Sequence, residues 1–222
     1  MTDPAEPGKG QGADVAERRR YDSPVRRERA NATRERIVEA GAALAHDFPS
    51  WDWRGLSAAA VAERAGVNKA TVYRYFPSER LLHDAIMRHL EDEAGISYAD
   101  MDLRTINTLV ESAYAHLSSF AGYAADLDAD ADSEEAPTAG ADQRRRDALM
   151  RAVAAETPDW PDARRRMAAA VLDVLWGRDT HDRLITVWGL DAGQTTQAVT
   201  WAMSLLTEAI HEGRDPGPGA AA

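Results

Sequence analysis

Apolar residues first take up a helical period at Thr33, where Ile37, Ala40, Gly41 and Leu44 share one face. Phe48-Pro49-Ser50 ends that helix, because proline cannot continue it. Ser57 stands where an N-cap belongs, ahead of a short helix over 58–65, and Gly66 follows as a left-handed stop. Asn68 caps a second short helix from Lys69 to Tyr75. After Pro77, Ser78 caps a longer one through Leu82, Ile86 and Leu90. Beyond Gly95 the period stays helical, with Leu103, Ile106, Leu109, Val110, Ala113, Leu117 and Phe120 marking one helix. Residues 126–140 are acidic and turn-rich and read as a loop. Helices resume over about 142–156, 162–177, 179–188 and 192–212, with Asp162 and Asp191 as caps of the second and fourth. No run of β-branched residues alternates with period two. The pattern predicts an all-α fold of about nine helices.

Charge divides this pattern in two. The whole chain has a formal net charge of −11, yet residues 17–90 hold 14 Lys+Arg against 10 Asp+Glu, and residues 96–222 hold 11 against 21. A basic first half and an acidic second half suit two parts that face different partners. Residues 1–16 have little to bury and read as disordered. Residues 18–29 crowd in Arg18, Arg19, Arg20, Arg26, Arg27 and Arg29, an arm in which Pro24 and the acids are expected to prevent a regular helix. There is no cysteine, which removes disulfides, thiolate nucleophiles and Cys-ligated zinc. The longest uncharged stretch, 192–207, is too short and polar to span a bilayer, and no apolar signal segment opens the chain, so a cytoplasmic protein is expected.

The stretch 56–76 carries the most specific chemistry. Val61, Ala62 and Ala65 supply a small apolar face that lets a second helix approach, Gly66 turns the chain, and Val67 plugs the corner. Val72 and Phe76 anchor the second helix. Lys69, Ala70, Thr71, Tyr73 and Arg74 are left outside, a mix of cation, hydroxyl, aromatic and methyl that suits a helix lying in a DNA major groove. The pattern Val61-Ala62-x-x-Ala65-Gly66-Val67-Asn68-x-x-Thr71-x-Tyr73-x-Tyr75-Phe76, followed by Leu82 and preceded by Ile37-Val38-Glu39-Ala40, resembles the DNA-binding domain of the TetR family of transcriptional regulators. The likeness covers about residues 33–90.

That resemblance implies an N-terminal three-helix helix-turn-helix domain and a C-terminal helical domain for ligand binding and dimerisation. The expected boundaries are a leader over 1–30, the DNA-binding domain over 31–77, a connecting helix over 78–95, the effector and dimer domain over 96–212, and a frayed tail over 213–222. Thr71, Tyr73 and Tyr75 match positions that contact phosphates, and Lys69, Ala70 and Arg74 match positions that read bases. Ser57 and Arg80 complete the expected DNA contacts. Glu79 departs from the pattern, since relatives often carry a phosphate-binding lysine there, and Arg80 is the neighbour able to replace it. The run Ala58-Ala59-Ala60 lacks the polar residue that often reaches DNA, which shifts base reading onto Lys69 and Arg74. Trp51 and Trp53 lengthen the first interhelix link and are expected to close the core.

In the last helix Val199, Ala202, Met203, Leu206 and Ile210 form one apolar stripe, and Ala198, Trp201 and Leu205 form another. A monomer's helix needs one buried face, so a homodimer interface is expected at Val199, Trp201, Met203, Leu206 and Ile210. Tyr98, Met101, Tyr114, Phe120, Met150, Met167 and Trp176 are candidates to line a pocket for a small-molecule effector, with plain core packing as the alternative. The histidines at 46, 83, 89, 116, 181 and 211 show no paired ligand spacing, so neither metal nor cofactor is expected. The inventory also lacks a nucleophile elbow, a phosphate loop and a zincin motif, which argues against an enzyme. Two functions stay open: a ligand-released repressor on a palindromic operator in double-stranded DNA, and a DNA-binding structural or cell-division factor on the same fold without an effector.

Overall fold

The computed structural model describes residues 24–47, 55–117 and 139–217, and among them there are nine helices and no strand. They are α1 (Pro24–Asp47), α2 (Ala58–Arg64), α3 (Lys69–Tyr75), α4 (Glu79–Glu93), α5 (Ile106–Leu117), α6 (Ala139–Glu156), α7 (Asp162–Trp176), α8 (Arg178–Thr186) and α9 (Ala192–His211). Trp51, Trp53 and Phe120 lie outside the described residues, as do the first 23 residues and most of the acidic segment.

Helix starts follow local chemistry. Ser57, Asn68, Ser78 and Asp191 each accept a bond from a backbone N–H in the first turn of the helix they precede. Asp191 and Gln194 close a reciprocal capping box. Asp162 does not cap α7. Pro161 holds that place, and Asp162 is the first helical residue, where its charge still favours the helix dipole.

Two ends differ from expectation. Helix α1 starts at Pro24, well before the apolar period, with proline in the first helical position where its missing N–H costs nothing. No residue from Arg27 to Arg36 is buried; Ile37 is the first. The basic segment is thus helical from Pro24 rather than broken by it. At the other end Asp215 pairs with Arg164 of α7 and accepts the Gly217 N–H at 2.8 Å, so residues 213–217 are docked rather than frayed.

Two cores organise the molecule. The first gathers Ile37, Ala45, Leu56, Val61, Val72, Phe76, Leu82, Ile86 and Leu90 from α1 to α4, together with Ala141 from α6. The second gathers Ile106, Val110, Tyr114, Leu149, Val153, Leu172, Trp176, Val199 and Met203 from α5, α6, α7 and α9. Helix α4 is embedded in the first core and meets the second unit through α6.

Candidate nucleic-acid interface

The turn between α2 and α3 is built from backbone bonds that only a left-handed residue completes. Gly66 has φ +65, its N–H reaches the Glu63 carbonyl at 3.1 Å, and the Val67 N–H reaches Ala62 at 2.9 Å. These two bonds close the end of α2 and aim the chain into α3. Asn68 Oδ1 then accepts from both the Thr71 N–H at 2.7 Å and the Thr71 hydroxyl at 2.9 Å, which fixes the first turn of α3.

One side of α3 is fully committed to the core: Val72 is 0% exposed and Phe76, its C-cap, 3%. Burial of each contributes roughly 1.5–3 kcal/mol, enough to hold so short a helix in place. The other side is open. Lys69, Ala70, Tyr73 and Arg74 are exposed, with Thr71 and Tyr75 half-buried beside them. Lys69 Nζ lies 5.6 Å from the centre of the Tyr73 ring, and the Arg74 guanidinium lies 5.1 Å from that of Tyr75. Each cation is therefore stacked on an aromatic face of its own helix, which orders a long side chain without neutralising it. The residues expected to read bases and those expected to touch phosphates form one continuous surface.

Ser57 and Arg80, the remaining expected contacts, differ. Ser57 Oγ is spent on the Ala60 N–H at 3.2 Å, where it caps α2. Arg80 is exposed on the first turn of α4 and makes no ion pair among the described residues. Glu79 bends back instead, and its Oε1 accepts the Ala58 N–H at 3.0 Å. A carboxylate thereby satisfies one of α2's open donors and stitches α4 to α2, a bond that a lysine at 79 could not make. His83 reinforces the same seam through Nε2, 2.8 Å from the Leu56 carbonyl.

In the second unit the expected pocket residues only partly converge. Met101, Tyr114 and Trp176 are buried in one cluster with Tyr98 and Met150 against it, and the Tyr98 and Trp176 rings stand 6.1 Å apart. The Tyr114 hydroxyl donates to the Leu175 carbonyl at 2.7 Å, and its ring meets His181 edge-on at 4.5 Å. Burial pushes both tyrosines' pKa values up and holds the His181 imidazole down to about 4. Met167 does not join them; it is 43% exposed on α7.

The expected dimer stripe also divides. Val199, Met203 and Ile210 are 2%, 0% and 4% exposed within a single protomer, so they pack its own core and offer nothing to a partner. Trp201 and Leu205, on the neighbouring face of α9, are 67% and 48% exposed. With Met167, Val171 and Val174 on α7 they leave two apolar helix faces uncovered.

Three histidines distant in sequence also meet. His46 Nε2 and His89 Nε2 lie 3.6 and 3.2 Å from the two oxygens of Glu93, and the rings of His46 and His116 are 5.6 Å apart. Spacing along the chain could not reveal this, because α1, α4 and α5 each bring one histidine. Among the described residues no group of three or more His, Asp or Glu has a geometry that could hold a metal ion, and no helix is long and apolar enough to cross a membrane.

Residues 37–86, which run from the first buried position of α1 to the middle of α4, match the family model of bacterial regulatory proteins of the tetR family. No curated protein matches the chain. The N-terminal unit of the chain is thus a domain of the tetR family of bacterial regulatory proteins.

Proposed function

We propose that this tetR-type transcriptional regulator is a repressor that binds a palindromic operator as a homodimer and is released by a small molecule held in its second unit. The observation that carries the proposal is the outer face of α3. Four exposed residues of suitable chemistry stand on a helix whose opposite side is locked by Val72 and Phe76. A helix of seven residues reaches too few bases to be specific alone. Two copies related by a two-fold axis read two half-sites about 34–36 Å apart.

Dimerisation is supported by the uncovered apolar residues of α7 and α9. Met167, Val171 and Val174 recur at helical spacing, and Trp201 and Leu205 do the same on the adjacent helix. Two such helices from each protomer make a four-helix contact of the self-complementary kind that a two-fold axis requires. The proposed effector site is the aromatic cluster of Tyr98, Tyr114 and Trp176 with Met101 and Met150, whose adaptable side chains can part around an apolar ligand.

Selection of bound duplexes from a random library tests the reading. It predicts inverted repeats separated by about one helical turn. Enrichment of single, unpaired sites would remove the dimeric operator. Screening apolar small molecules for release of the selected duplex then separates a ligand-responsive repressor from a DNA-binding factor without an effector.

A further inference from the structure

Helix α6 carries two adjacent arginines that reach in opposite directions. Arg144 pairs with Asp84 through Nη1 and donates from Nη2 to Glu91 Oε2 at 2.8 Å. Both acceptors belong to α4, seven residues and two turns apart on one face. Arg145 turns to α7 and donates from Nε to Asp173 Oδ1 at 2.7 Å, with Asp142 of its own helix 3.0 Å from Nη1. The arginine side chains are only 20% and 15% exposed. Asp173 sits next to Val174 in the apolar face proposed for dimerisation.

The first turn of α6 is fitted to α4 as closely as the charges are. A Cβ at Gly140 would collide with the Asp84 carboxylate, and Ala141 is buried in the first core. Burial pushes the Asp84 carboxyl up, but hydrogen bonds from Arg144 and Arg88 outweigh it and hold the group below its usual range. Glu91 is buried more deeply; that raises its pKa, which Arg144 offsets only in part. Among the described residues no hydrogen bond reaches Glu91 Oε1 or Arg144 Nε. A buried ionic network left partly unsatisfied is a weak source of stability and serves better to fix a geometry.

We propose that Arg144 and Arg145 form a strut that sets the tilt of α4 relative to α7, and with it the separation of the two recognition helices in the DNA-bound dimer. Arg144 and Arg145 are positioning residues, neither of them on the α3 face. The inference rests on the dimeric reading above. At one end the strut grips the helix that carries the dimer face. At the other it grips α4, whose first turn is tied to α2 through Glu79 and whose Leu82 and Ile86 are buried in the same core as α3. The helix-turn-helix therefore moves with α4 as one body. From Glu79 to Glu91 α4 rises about 18 Å at roughly 1.5 Å per residue. A tilt of about 10° over that lever moves the reading head about 3 Å, close to the 3.4 Å step between base pairs. A loosened strut should thus show as tolerance for half-sites one base pair nearer or farther.

The test uses the full chain and a set of duplexes in which the two selected half-sites are held constant and their separation is varied one base pair at a time. Wild type should favour one separation over its neighbours by about tenfold or more, the loss expected when one recognition helix misses its groove. Arg144→Met should bind the neighbouring separations within about threefold of the best while keeping the same preference inside each half-site. Arg144→Lys, able to reach one carboxylate at a time, should fall between. If Arg144→Met does not fold, Asp173→Ala removes the acceptor at the strut's far end and should broaden the separation in the same way. A folded, dimeric Arg144→Met or Asp173→Ala variant as discriminating as wild type overturns the strut while leaving the dimeric reading intact. A wild type indifferent to separation overturns the dimeric reading and the strut with it.

Discussion

Replacing Trp201 by Ala should dissociate the dimer while leaving each protomer folded, and replacing Met203 by Ala should do the reverse. The two residues lie two positions apart on α9, yet Trp201 is 67% exposed and Met203 is 0% exposed. A covered tryptophan buries about 150–250 Å², so roughly 130 Å² of Trp201 awaits a partner at about two-thirds exposure. At about 25 cal/mol per Å² that amounts to about 3 kcal/mol. A two-fold interface uses the residue twice, giving up to about 6 kcal/mol, or about 10⁴-fold in the dimer dissociation constant. Met203→Ala opens a cavity inside the protomer and should cost about 2–5 kcal/mol of folding stability. Sedimentation equilibrium across a dilution series reads the first quantity and urea unfolding the second. If Trp201→Ala associates like wild type, or if Met203→Ala yields well-folded monomers, the division of α9 into an inner and an outer face is wrong.

Glu79→Gln keeps an acceptor for the Ala58 N–H but removes a negative charge from the first turn of α4, beside Arg80, so operator affinity at low salt should rise severalfold without loss of thermal stability; equal or weaker binding in a titration at low salt would deny Glu79 an opposing role. Removing residues 1–29 deletes six arginines and two acids of the basic segment while sparing Ile37 and the buried residues of α1 after it. The slope of log affinity against log salt should become shallower by about 0.9 for each phosphate no longer neutralised, for operator and random DNA alike. An unchanged slope would leave the start of α1 without a role on DNA. Burial holds His181 down to about 4 and pushes Asp182 up to about 6, so between these values the folded pair and the unfolded chain bind the same number of protons. Asp182→Asn leaves His181 alone. As pH falls below about 6.5 the unfolded histidine takes a proton that the folded one refuses, so stability should drop relative to wild type by up to about 1.4 kcal/mol per unit. Urea midpoints from pH 7 to 4.5 that run parallel in the two proteins would contradict that account.

What the sequence made legible was local. Ser57, Asn68, Ser78 and Asp191 announce helix starts because each cap bonds within its own first turn. Gly66 announces the turn because other residues resist its positive φ. Asp162 misled because an acid in the first turn and an acid at the cap leave the same trace in a sequence. The start of α1 was hidden for a different reason. Periodicity detects a helix only where it buries a face, and α1 buries none from Arg27 to Arg36. Tertiary placement was beyond reach for the same kind of cause. Two apolar stripes on α9 look alike until packing assigns Met203 inward and Trp201 outward. Met167 matched a pocket residue in type and spacing, yet α7 turns it to the surface. The Glu79 bond to Ala58 and the meeting of His46, His89 and His116 join positions too far apart in sequence for any spacing rule. The exposed side of α3 was legible, since residues 69–71 and 73–75 of one short helix carry it.

Whether the outer face of α3 reads DNA is tested most directly by fluorescence anisotropy with a library-selected duplex. Lys69→Ala, Tyr73→Ala and Arg74→Ala each remove an exposed side chain and leave Val72 and Phe76 in place, so fold and dimer should persist. Each should weaken binding by about 1–3 kcal/mol, or about 5- to 150-fold. Three folded variants that bind the duplex as tightly as wild type would contradict the assignment of α3 to the groove.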